Sequence, residues 1–345
     1  MRKIQREEPC RICQSREGTL LALIDYWNLQ TSNLVKCDSC RLSQLDPMLS
    51  IENQEVGCEA YFYKEQIEMS PKEQKRNMIR NFRRGVVFGY SLKLKNICPQ
   101  NILEFGPGSG YFLEGIKFVF PTAKITVVDV VQAVLDFNKH EHGYNTTKAL
   151  ADDFKVETEA VYDLIIARDI IEHVSDVGRM IVNVKKLLCV GGFFHFLTPN
   201  GHEDYWGHKM CQDLLKKRSE LLINHVNYFD GQGLKLFLQT SGFLPIEYYT
   251  YQFKNFVKGK GWKNILTWST QSTKKDAASM ISFGRAKENP QTQPKSEILR
   301  KEWYISGKFP VMTFLYSYLK HNFWIKINAK FRYGHEIFGL FKRVD

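Results

Sequence analysis

Short apolar runs alternate with segments of helical apolar spacing through the middle of the chain. Continuous apolar runs are typical of buried strands, and apolar residues repeated once per turn are typical of amphipathic helices. This alternation predicts an α/β fold with a mostly parallel sheet and helices on both faces. Strands are predicted at 101–106, 124–130, 161–169 and 193–199, and helices at 111–120, 131–140 and 177–192, the last closed by its glycines.

The chain of 345 residues is long enough for one full domain with additions. Residues 61–97 are rich in Lys, Arg, Glu and Gln, and Ser70, Pro71 and Glu73 form a helix start. A polar stretch with two prolines at 288–297 reads as a linker. The predicted segments are a cysteine-containing ribbon at 1–60, a helical connector at 61–97, the α/β domain at 98–288 and a basic, aromatic extension at 289–345.

The net charge of +11 is concentrated near the C-terminal end. Residues 251–345 contain 18 Lys and Arg against 6 Asp and Glu, which gives +12 and leaves about −1 for the first 250 residues. This asymmetry indicates either an anionic partner near that end or a solvated basic face.

Four of the eight cysteines form two C-x-x-C pairs, Cys10 with Cys13 and Cys37 with Cys40. Two such pairs can present four thiolates in a tetrahedron, which suits zinc, and a hairpin would bridge the 23 residues between them. Four thiolates leave no open position, so a structural Zn²⁺ is expected. The charged start of the chain does not resemble a secretion signal, and no membrane-spanning helix is expected, so we expect a reducing cytoplasmic setting.

The loop in "LEFGPGSGYF" places Gly106, Gly108 and Gly110 directly after a predicted strand and before a helix. Such a loop lets a ligand approach the backbone closely. The dinucleotide fingerprint would require a glycine at position 111, which is Tyr111. Glu104 would disfavour a pyrophosphate nearby, so a ligand with an ammonium and a sulfonium group is a better match.

"LEFGPGSGYF" resembles motif I of the class I S-adenosylmethionine-dependent methyltransferases. Asp129 stands where that family places an acid on the ribose hydroxyls, and "ADDF" at 151–154 stands where an acid accepts from the adenine amino group, with Asp152 and Asp153 as alternatives. "YDLIIARDIIEHV" and the segment 225–243 resemble later motifs of the family. The resemblance implies S-adenosylmethionine held by Glu104, Phe105, Gly106, Gly108, Gly110, Asp129, Val130, Asp152, Asp153, Arg168, Asp169 and His173.

The resemblance also implies a Rossmann-like sheet of seven strands, of which the last is antiparallel. Segments 244–252 and 277–287 are the predicted final pair, with an insertion between them. The four-cysteine ribbon is similar to the leader of methyltransferases that serve sugar, polysaccharide or secondary-metabolite pathways. A small-molecule or glycan-precursor acceptor is therefore expected, methylated at oxygen in preference to the alternatives of carbon and nitrogen.

The acceptor site is expected at the carboxyl ends of the fourth and fifth strands, where open sheets bind ligands. His202 and Glu203 follow the fifth strand in a polar loop, and His225 could reach the same cleft. His202 oriented by Glu203 or Asp204 is one candidate base, and His225 is the other. His173 is expected to shape the cofactor cleft, and His195, inside a strand, is expected to be buried.

Competing interpretations concern the substrate and the extension. Position 168–171 reads "RDII", without the Asn/Asp-Pro-Pro-Tyr/Phe stretch of many amino methyltransferases or the cysteine of 5-methylcytosine enzymes. A nucleic-acid substrate gripped by the basic end is therefore the less favoured alternative. The extension is expected to pack on the body, to form a dimer contact, or to lie on a membrane surface and receive a lipid-linked acceptor.

Overall fold

Two β-sheets form the framework of the protein in a computed structural model, which describes residues 2–26, 30–67, 70–155, 161–201, 221–222, 225–251 and 336–345. The N-terminal part contains strands β1 Arg2–Gln5, β2 Glu17–Tyr26, β3 Gln30–Cys37 and β4 Ser43–Asp46, followed by helices α1 Ile51–Ile67 and α2 Pro71–Leu94.

The larger part begins with β5 Asn101–Phe105 and continues with α3 Tyr111–Val119, β6 Lys124–Asp129, α4 Gln132–His142 and β7 Asn145–Lys148. It then runs through β8 Tyr162–Arg168, α5 Val177–Leu187 and β9 Leu188–Pro199. The last described elements are β10 Leu221–Leu222, β11 Asn227–Tyr228, α6 Gly231–Thr240, β12 Phe243–Tyr251 and β13 Glu336–Arg343.

The larger sheet has seven strands in the order β12-β13-β9-β8-β5-β6-β7. The strands from β7 to β9 pair in parallel, whereas β13 is antiparallel to both of its neighbours. Apolar residues of α2, α3 and α4 cover one face, and those of α5 and α6 cover the other. The predicted Rossmann-like α/β sheet with helices on both faces is therefore confirmed.

Helices α2 and α3 cross closely because each presents a glycine at the contact. A Cβ on Gly85 would lie 1.9 Å from the Phe112 carbonyl oxygen, and one on Gly115 would lie 2.1 Å from the Phe82 carbonyl oxygen. At the start of α2, the Ser70 side chain accepts from the Glu73 N–H, and the Glu73 side chain accepts from the Ser70 N–H. The predicted helix start is confirmed as a capping box.

The N-terminal sheet has the order β1-β2-β3-β4-β11, with β10 paired in parallel to β2. Strands β2 and β3 form the hairpin expected between the two cysteine pairs. Strand β11, from residues 227–228, extends this sheet beside β4. The ribbon is thus joined to a segment that follows the fifth parallel strand of the larger sheet, so its fold extends beyond the predicted boundary at residue 60.

The structure differs from the predicted elements at three places. Helix α5 ends at Leu187, and the glycines expected to close it lie in an irregular start of β9, where the register with β8 shifts between Tyr162 and Leu164. Strand β7 was not predicted, because "NTTK" is a polar edge strand without an apolar run. The strand between β12 and β9 is Glu336–Arg343, so it occupies the place assigned to 277–287, which lies outside the described residues.

The position of β13 also changes the predicted C-terminal division. Residues 336–343, assigned to an extension at 289–345, are an interior strand of the sheet, and Ile337, Leu340 and Phe341 are buried there. Across the ranges that the structure describes, no helix has the length and apolarity needed to cross a bilayer.

Candidate functional site

The glycine loop between β5 and α3 is built from left-handed backbone. Gly106, Gly108 and Gly110 have φ values of 63°, 53° and 70°, a region that side chains with a Cβ adopt at a cost. A Cβ on Gly106 would meet the Ile170 side chain at 2.0 Å, whereas one on Gly108 would meet nothing within 4 Å. The middle of the loop therefore presents bare backbone to open space.

Helix α4 holds this loop from behind. Asn138, which is fully buried, donates from Nδ2 to the Gly108 carbonyl oxygen at 2.8 Å. His142 Nε2 lies 2.9 Å from the Ser109 carbonyl oxygen. A Cβ on Gly110 would lie 2.2 Å from Asn138 Oδ1, so the helix packs directly on the loop. Sequence reasoning missed both side chains, since each looks like an ordinary polar residue on an amphipathic helix.

Two acids lie beside the loop at the ends of β5 and β6. Glu104 is buried, and its Oε2 has no hydrogen-bond partner among the described residues. Burial raises the pKa of Glu104 to about 8, although Arg168 opposes the shift. Burial likewise raises the pKa of Asp129 to about 6, while Asp129 Oδ1 accepts from the Val131 N–H at 2.9 Å. A buried carboxyl group with an open acceptor oxygen favours a cationic partner.

The two adjacent acids after β7 have different surroundings. Asp152 is buried, and its Oδ2 accepts from Arg179 Nη2 at 2.9 Å and from the Asp176 N–H at 3.2 Å. Its carboxylate is therefore used to hold the start of α5. Asp153 has a side chain that is 56% exposed, and its Oδ1 lies 4.0 Å from Arg179 Nη1.

The remaining predicted cofactor positions lie at or just after the ends of β5, β6 and β8. Phe105 has its side chain in the core, so only its backbone can face the cleft, while Val130 is half-buried. The Arg168 guanidinium lies 3.8 Å from the Phe112 ring centroid. Asp169 has a left-handed φ of 54°, and desolvation by the surrounding protein raises the pKa of its carboxyl group, whereas the nearby Arg168 lowers that pKa.

Glu172, His173 and His225 form a carboxylate–histidine cluster beyond the end of β8. Their potential donor atoms all lie within 4.8 Å of one another, and the two imidazole centroids are 4.9 Å apart. Glu172 is buried, and its Oε2 accepts from Thr198 Oγ1 at 2.9 Å. Burial, with a contribution from Asp169, raises the pKa of Glu172 to about 8. Three groups suited to proton transfer or ion binding thus meet at the sheet edge where an acceptor is expected.

The backbone around this cluster is tied to the ribbon and to α1. Asn227 donates from Nδ2 to the carbonyl oxygens of Ile171 and Val174, at 3.0 and 2.7 Å, and accepts from Gln44 of β4 at 2.8 Å. Gln54 of α1 donates to the His173 carbonyl oxygen. The cluster is therefore positioned by three parts of the chain that are distant in sequence.

The predicted catalytic residues are only partly covered by the structure. His225 is half-buried and belongs to the cluster, whereas His202 and Glu203 lie outside the described residues. His195 is buried, with Nδ1 2.9 Å from the Gly339 carbonyl oxygen, and burial lowers its pKa to about 3. The expectation that His195 is a buried, hydrogen-bonded residue is confirmed.

The four predicted metal ligands come together in the ribbon. The Sγ atoms of Cys10 and Cys40 are 3.4 Å apart, as are those of Cys13 and Cys37, and all four lie within 4.8 Å of one another. Tetrahedral zinc with Zn–S bonds of about 2.3 Å needs S–S separations of about 3.8 Å. The size of the cluster and its thiol donors fit a zinc ion.

Both knuckles have the same backbone geometry. The residue after each second cysteine, Gln14 or Arg41, has a left-handed φ of 61° or 69°. The Gln14 N–H donates to the Cys10 carbonyl oxygen at 2.9 Å, and the Arg41 N–H donates to the Cys37 carbonyl oxygen at 3.0 Å. This repeated turn directs both thiols of a pair toward the same point.

The seven-stranded sheet, the left-handed glycine loop and the acids beside it define the class I S-adenosylmethionine-dependent methyltransferase fold. Residues 66–248, more than half of the chain, match the methyltransferase domain family, and the chain belongs to that family.

Individual relatives are more distant. A malonyl-[acyl-carrier protein] O-methyltransferase from Bacillus anthracis is 29% identical over 98 residues, which are 28% of this chain and 36% of that protein. Nodulation protein S from Rhizobium tropici is 28% identical over 107 residues, which are 30% of this chain and 40% of that protein. The matched region thus spans well under two thirds of either relative.

Among solved structures, the plantazolicin methyltransferase BpumL in complex with SAH aligns with 85% of this chain and 97% of its own. The sequence identity is 11%, and the TM-score is 0.43.

Proposed function

We propose that the protein transfers a methyl group from S-adenosylmethionine to a hydroxyl oxygen of a small molecule or glycan precursor. The observation that carries this proposal is the buried Glu104 carboxyl group, whose Oε2 lacks a partner among the described residues, beside a loop in which Gly108 faces open space. A carboxylate in a low-dielectric site binds a cationic ligand strongly, and S-adenosylmethionine carries an ammonium and a sulfonium group.

The cofactor would lie along the edge formed by the ends of β5, β6 and β8. Glu104 and the backbone of the glycine loop would hold its amino-acid part, and Asp129 would accept from the ribose hydroxyls. Of the two acids left open by the sequence, Asp153 is the better partner for the adenine amino group, because the buried Asp152 carboxylate lies 2.9 Å from Arg179 whereas the exposed Asp153 carboxylate lies 4.0 Å from it. The walls of the cofactor site would be completed by Phe105, Val130, Arg168, Asp169 and His173.

The acceptor would lie at the carboxylate–histidine cluster. In this proposal the acceptor oxygen attacks the methyl carbon in line with the carbon–sulfur bond, and the bonding pair returns to sulfur, giving S-adenosylhomocysteine. The acceptor proton passes to His225, beside Glu172 in the cluster. His202 and Glu203 stay candidates for the same role on sequence grounds. Alignment of acceptor and methyl group supplies most of the rate, since the sulfonium is already a good electrophile.

A structural Zn²⁺ at Cys10, Cys13, Cys37 and Cys40 completes the proposal. The ion would hold the two knuckles of the ribbon together, and the ribbon in turn would support the cluster through Gln44 and Asn227. Zinc in such a site contributes directly to folding.

The choice of acceptor rests on the carboxylate–histidine cluster together with the activities for which the relatives are named. The Bacillus anthracis relative is an O-methyltransferase for malonyl-[acyl-carrier protein], which supports methylation at oxygen. A polar, half-buried carboxylate–histidine site suits a compact hydroxylated acceptor.

The test begins with calorimetric titration of S-adenosylhomocysteine into zinc-loaded protein. We expect one binding site per chain, lost in Asp129→Ala and retained in Asp136→Ala, which changes an acid on α4 outside the cleft. A screen of nucleotide sugars, lipid-linked glycans, acyl-carrier substrates and RNA with methyl-labelled cofactor would then identify the acceptor. Absence of cofactor binding by the folded, zinc-loaded protein would refute the proposal.

A further inference from the structure

The carboxylate–histidine cluster has the composition of an ion site as well as that of a base. It offers one carboxylate oxygen from Glu172 and one imidazole nitrogen each from His173 and His225, all within 4.8 Å of one another. Two histidines and one carboxylate are the protein ligands of catalytic zinc sites and of non-haem iron sites, which keep positions open for substrate. We propose that this cluster binds one divalent transition-metal ion of the Zn²⁺ class, separate from the ion of the cysteine ribbon.

The ligands are held in place before any ion arrives. Glu172 Oε2 accepts from Thr198 Oγ1 at 2.9 Å, which orients the carboxyl group. The Glu172 carbonyl oxygen accepts from the N–H groups of Val226 and Asn227, at 2.9 and 3.0 Å, and so fixes the chain beside His225. Gln54 donates to the His173 carbonyl oxygen. Such hydrogen bonds around ligands tune metal affinity, and their removal costs about 10- to 100-fold.

The charge around the cluster also suits a cation. Asp169 and Glu336 are close enough to each other to interact electrostatically, and Asp169 interacts with Glu172 in turn. Glu336 has a buried Oε2 without a partner among the described residues. Arg168, Arg84 and His225 act on Asp169 in the opposite sense. A divalent ion at the cluster would lower the cost of burying these carboxyl groups together in their ionised form.

The ion would change how the acceptor loses its proton, and this consequence rests on the proposed methyl transfer. A cation with three protein ligands keeps a position for the acceptor oxygen and lowers the pKa of its hydroxyl group. The proton then leaves to solvent, and the oxygen attacks the methyl carbon as before. His225 acts as the ligand in the loaded protein and as the proton acceptor in the metal-free cluster, since one nitrogen lone pair cannot serve both roles.

The test is calorimetric titration of Zn²⁺ into protein whose ribbon is already zinc-loaded, with the metal content per chain measured independently. We expect one additional site in the wild-type protein, loss of that site in Glu172→Gln and His225→Ala, and an affinity about 10- to 100-fold weaker in Thr198→Val. His140→Ala removes an exposed histidine of α4 and should leave the additional site unchanged.

Cobalt provides a second readout, because Co²⁺ bound to thiolates gives an intense charge-transfer band that an oxygen–nitrogen site lacks. We expect the additional Co²⁺ to add only weak visible bands, which disappear in His225→Ala. Binding of S-adenosylhomocysteine to every variant verifies its fold and tests the methyltransferase proposal separately. A wild-type protein that binds S-adenosylhomocysteine but takes up no ion beyond the ribbon, or an additional site lost in His140→Ala and kept in His225→Ala, would overturn the inference.

Discussion

Asn138 on α4 and Gly108 in the glycine loop are joined by a hydrogen bond of 2.8 Å from the side-chain amide to the backbone carbonyl oxygen. Asn138 also donates to the Val134 carbonyl oxygen at 2.9 Å, so the amide links the loop to the helix interior. The conformation of the loop is therefore set from outside the motif that the glycines define.

Replacing this amide is expected to weaken cofactor binding. Asn138→Ala leaves the Gly108 carbonyl oxygen without its buried donor, at a cost of about 1–3 kcal/mol. Where this cost falls on the ligand-binding conformation of the loop, the affinity for S-adenosylhomocysteine should fall about tenfold for each 1.4 kcal/mol. Calorimetry with S-adenosylhomocysteine measures the effect. Tyr144→Phe removes the bond from the tyrosine hydroxyl to Glu114 Oε1 at the same corner and should leave binding near wild type. Equal affinities in Asn138→Ala and the wild type would contradict this role.

Comparing Gly108 with Gly143, which has a similar backbone conformation, distinguishes the effect of backbone strain from that of a direct clash with the ligand. Gly108 and Gly143 have φ values of 53° and 70°, and a Cβ on either would meet nothing within 4 Å. Alanine at each position should destabilise the fold by a similar amount, about 1–2 kcal/mol, measured by chemical unfolding. Only Gly108→Ala should lose S-adenosylhomocysteine affinity, by more than about tenfold, because its methyl group would occupy the ligand's space. Comparable losses of affinity in both variants would disprove a direct contact at Gly108.

Glu104 predicts a pH dependence of stability with a defined sign. Its pKa is about 8 in the folded protein, above the ordinary value of 4.5, so between pH 4.5 and 8 the folded state binds more protons than the unfolded state. The stability contributed by the neutral Glu104 carboxyl is therefore lost as pH rises through this window. Glu104→Gln stays neutral, so its free energy of unfolding relative to wild type should increase from pH 5 to pH 8.

Comparison of the two proteins cancels the contribution of other groups, including Glu172, whose pKa is raised in the same direction. Urea unfolding without ligand at pH 5, 6.5 and 8 provides the measurement. The prediction fails when the difference between Glu104→Gln and wild type stays constant or shrinks with pH. In the presence of saturating S-adenosylhomocysteine, the wild-type protein should become more stable than Glu104→Gln. The reason is that the amide of the variant cannot compensate the charge of the ligand's ammonium group.

The ribbon is expected to be coupled to the cofactor cleft. Cys37 is fully buried in the four-cysteine cluster, and β4 of the same sheet binds Asn227 through Gln44. Cys37→Ser should reduce the zinc content to a level like that of chelated wild type, lower the thermal midpoint and weaken S-adenosylhomocysteine binding. Cys98→Ser changes an exposed cysteine outside the cluster and serves as the control. Undiminished cofactor affinity after complete zinc removal would show that the two sites are independent.

Much of the larger domain was predictable because its strands and loops are local in sequence. The apolar runs that became β5, β6, β8 and β9 are buried on both faces, and the glycine loop carries its own backbone requirement at φ above zero. Two C-x-x-C pairs likewise predict their own turns. In each of these cases the residues that form the feature are neighbours in the chain.

The parts that were missed depend on contacts between distant residues. "EIFGLFKR" at 336–343 and "AASMISFGRAK" at 277–287 have similar apolar patterns, and the choice between them is made by packing against β9 and β12. The bond from Asn138 to the loop spans 30 positions, and the bond from Gln44 to Asn227 spans 183. Periodicity carries no information about such pairs.

The interior location of β13 has a consequence for the protein's synthesis. Pro199 at the end of β9 pairs with Glu336, so translation must advance 137 positions before pairing between β9 and β13 can begin. Until then, the edge of β9 opposite β8 is unpaired, and the strand carries apolar residues that include Phe194 and Phe196. The nascent chain therefore passes through a long interval in which an aggregation-prone edge is bare, and a ribosome-associated chaperone would have its greatest effect in that interval.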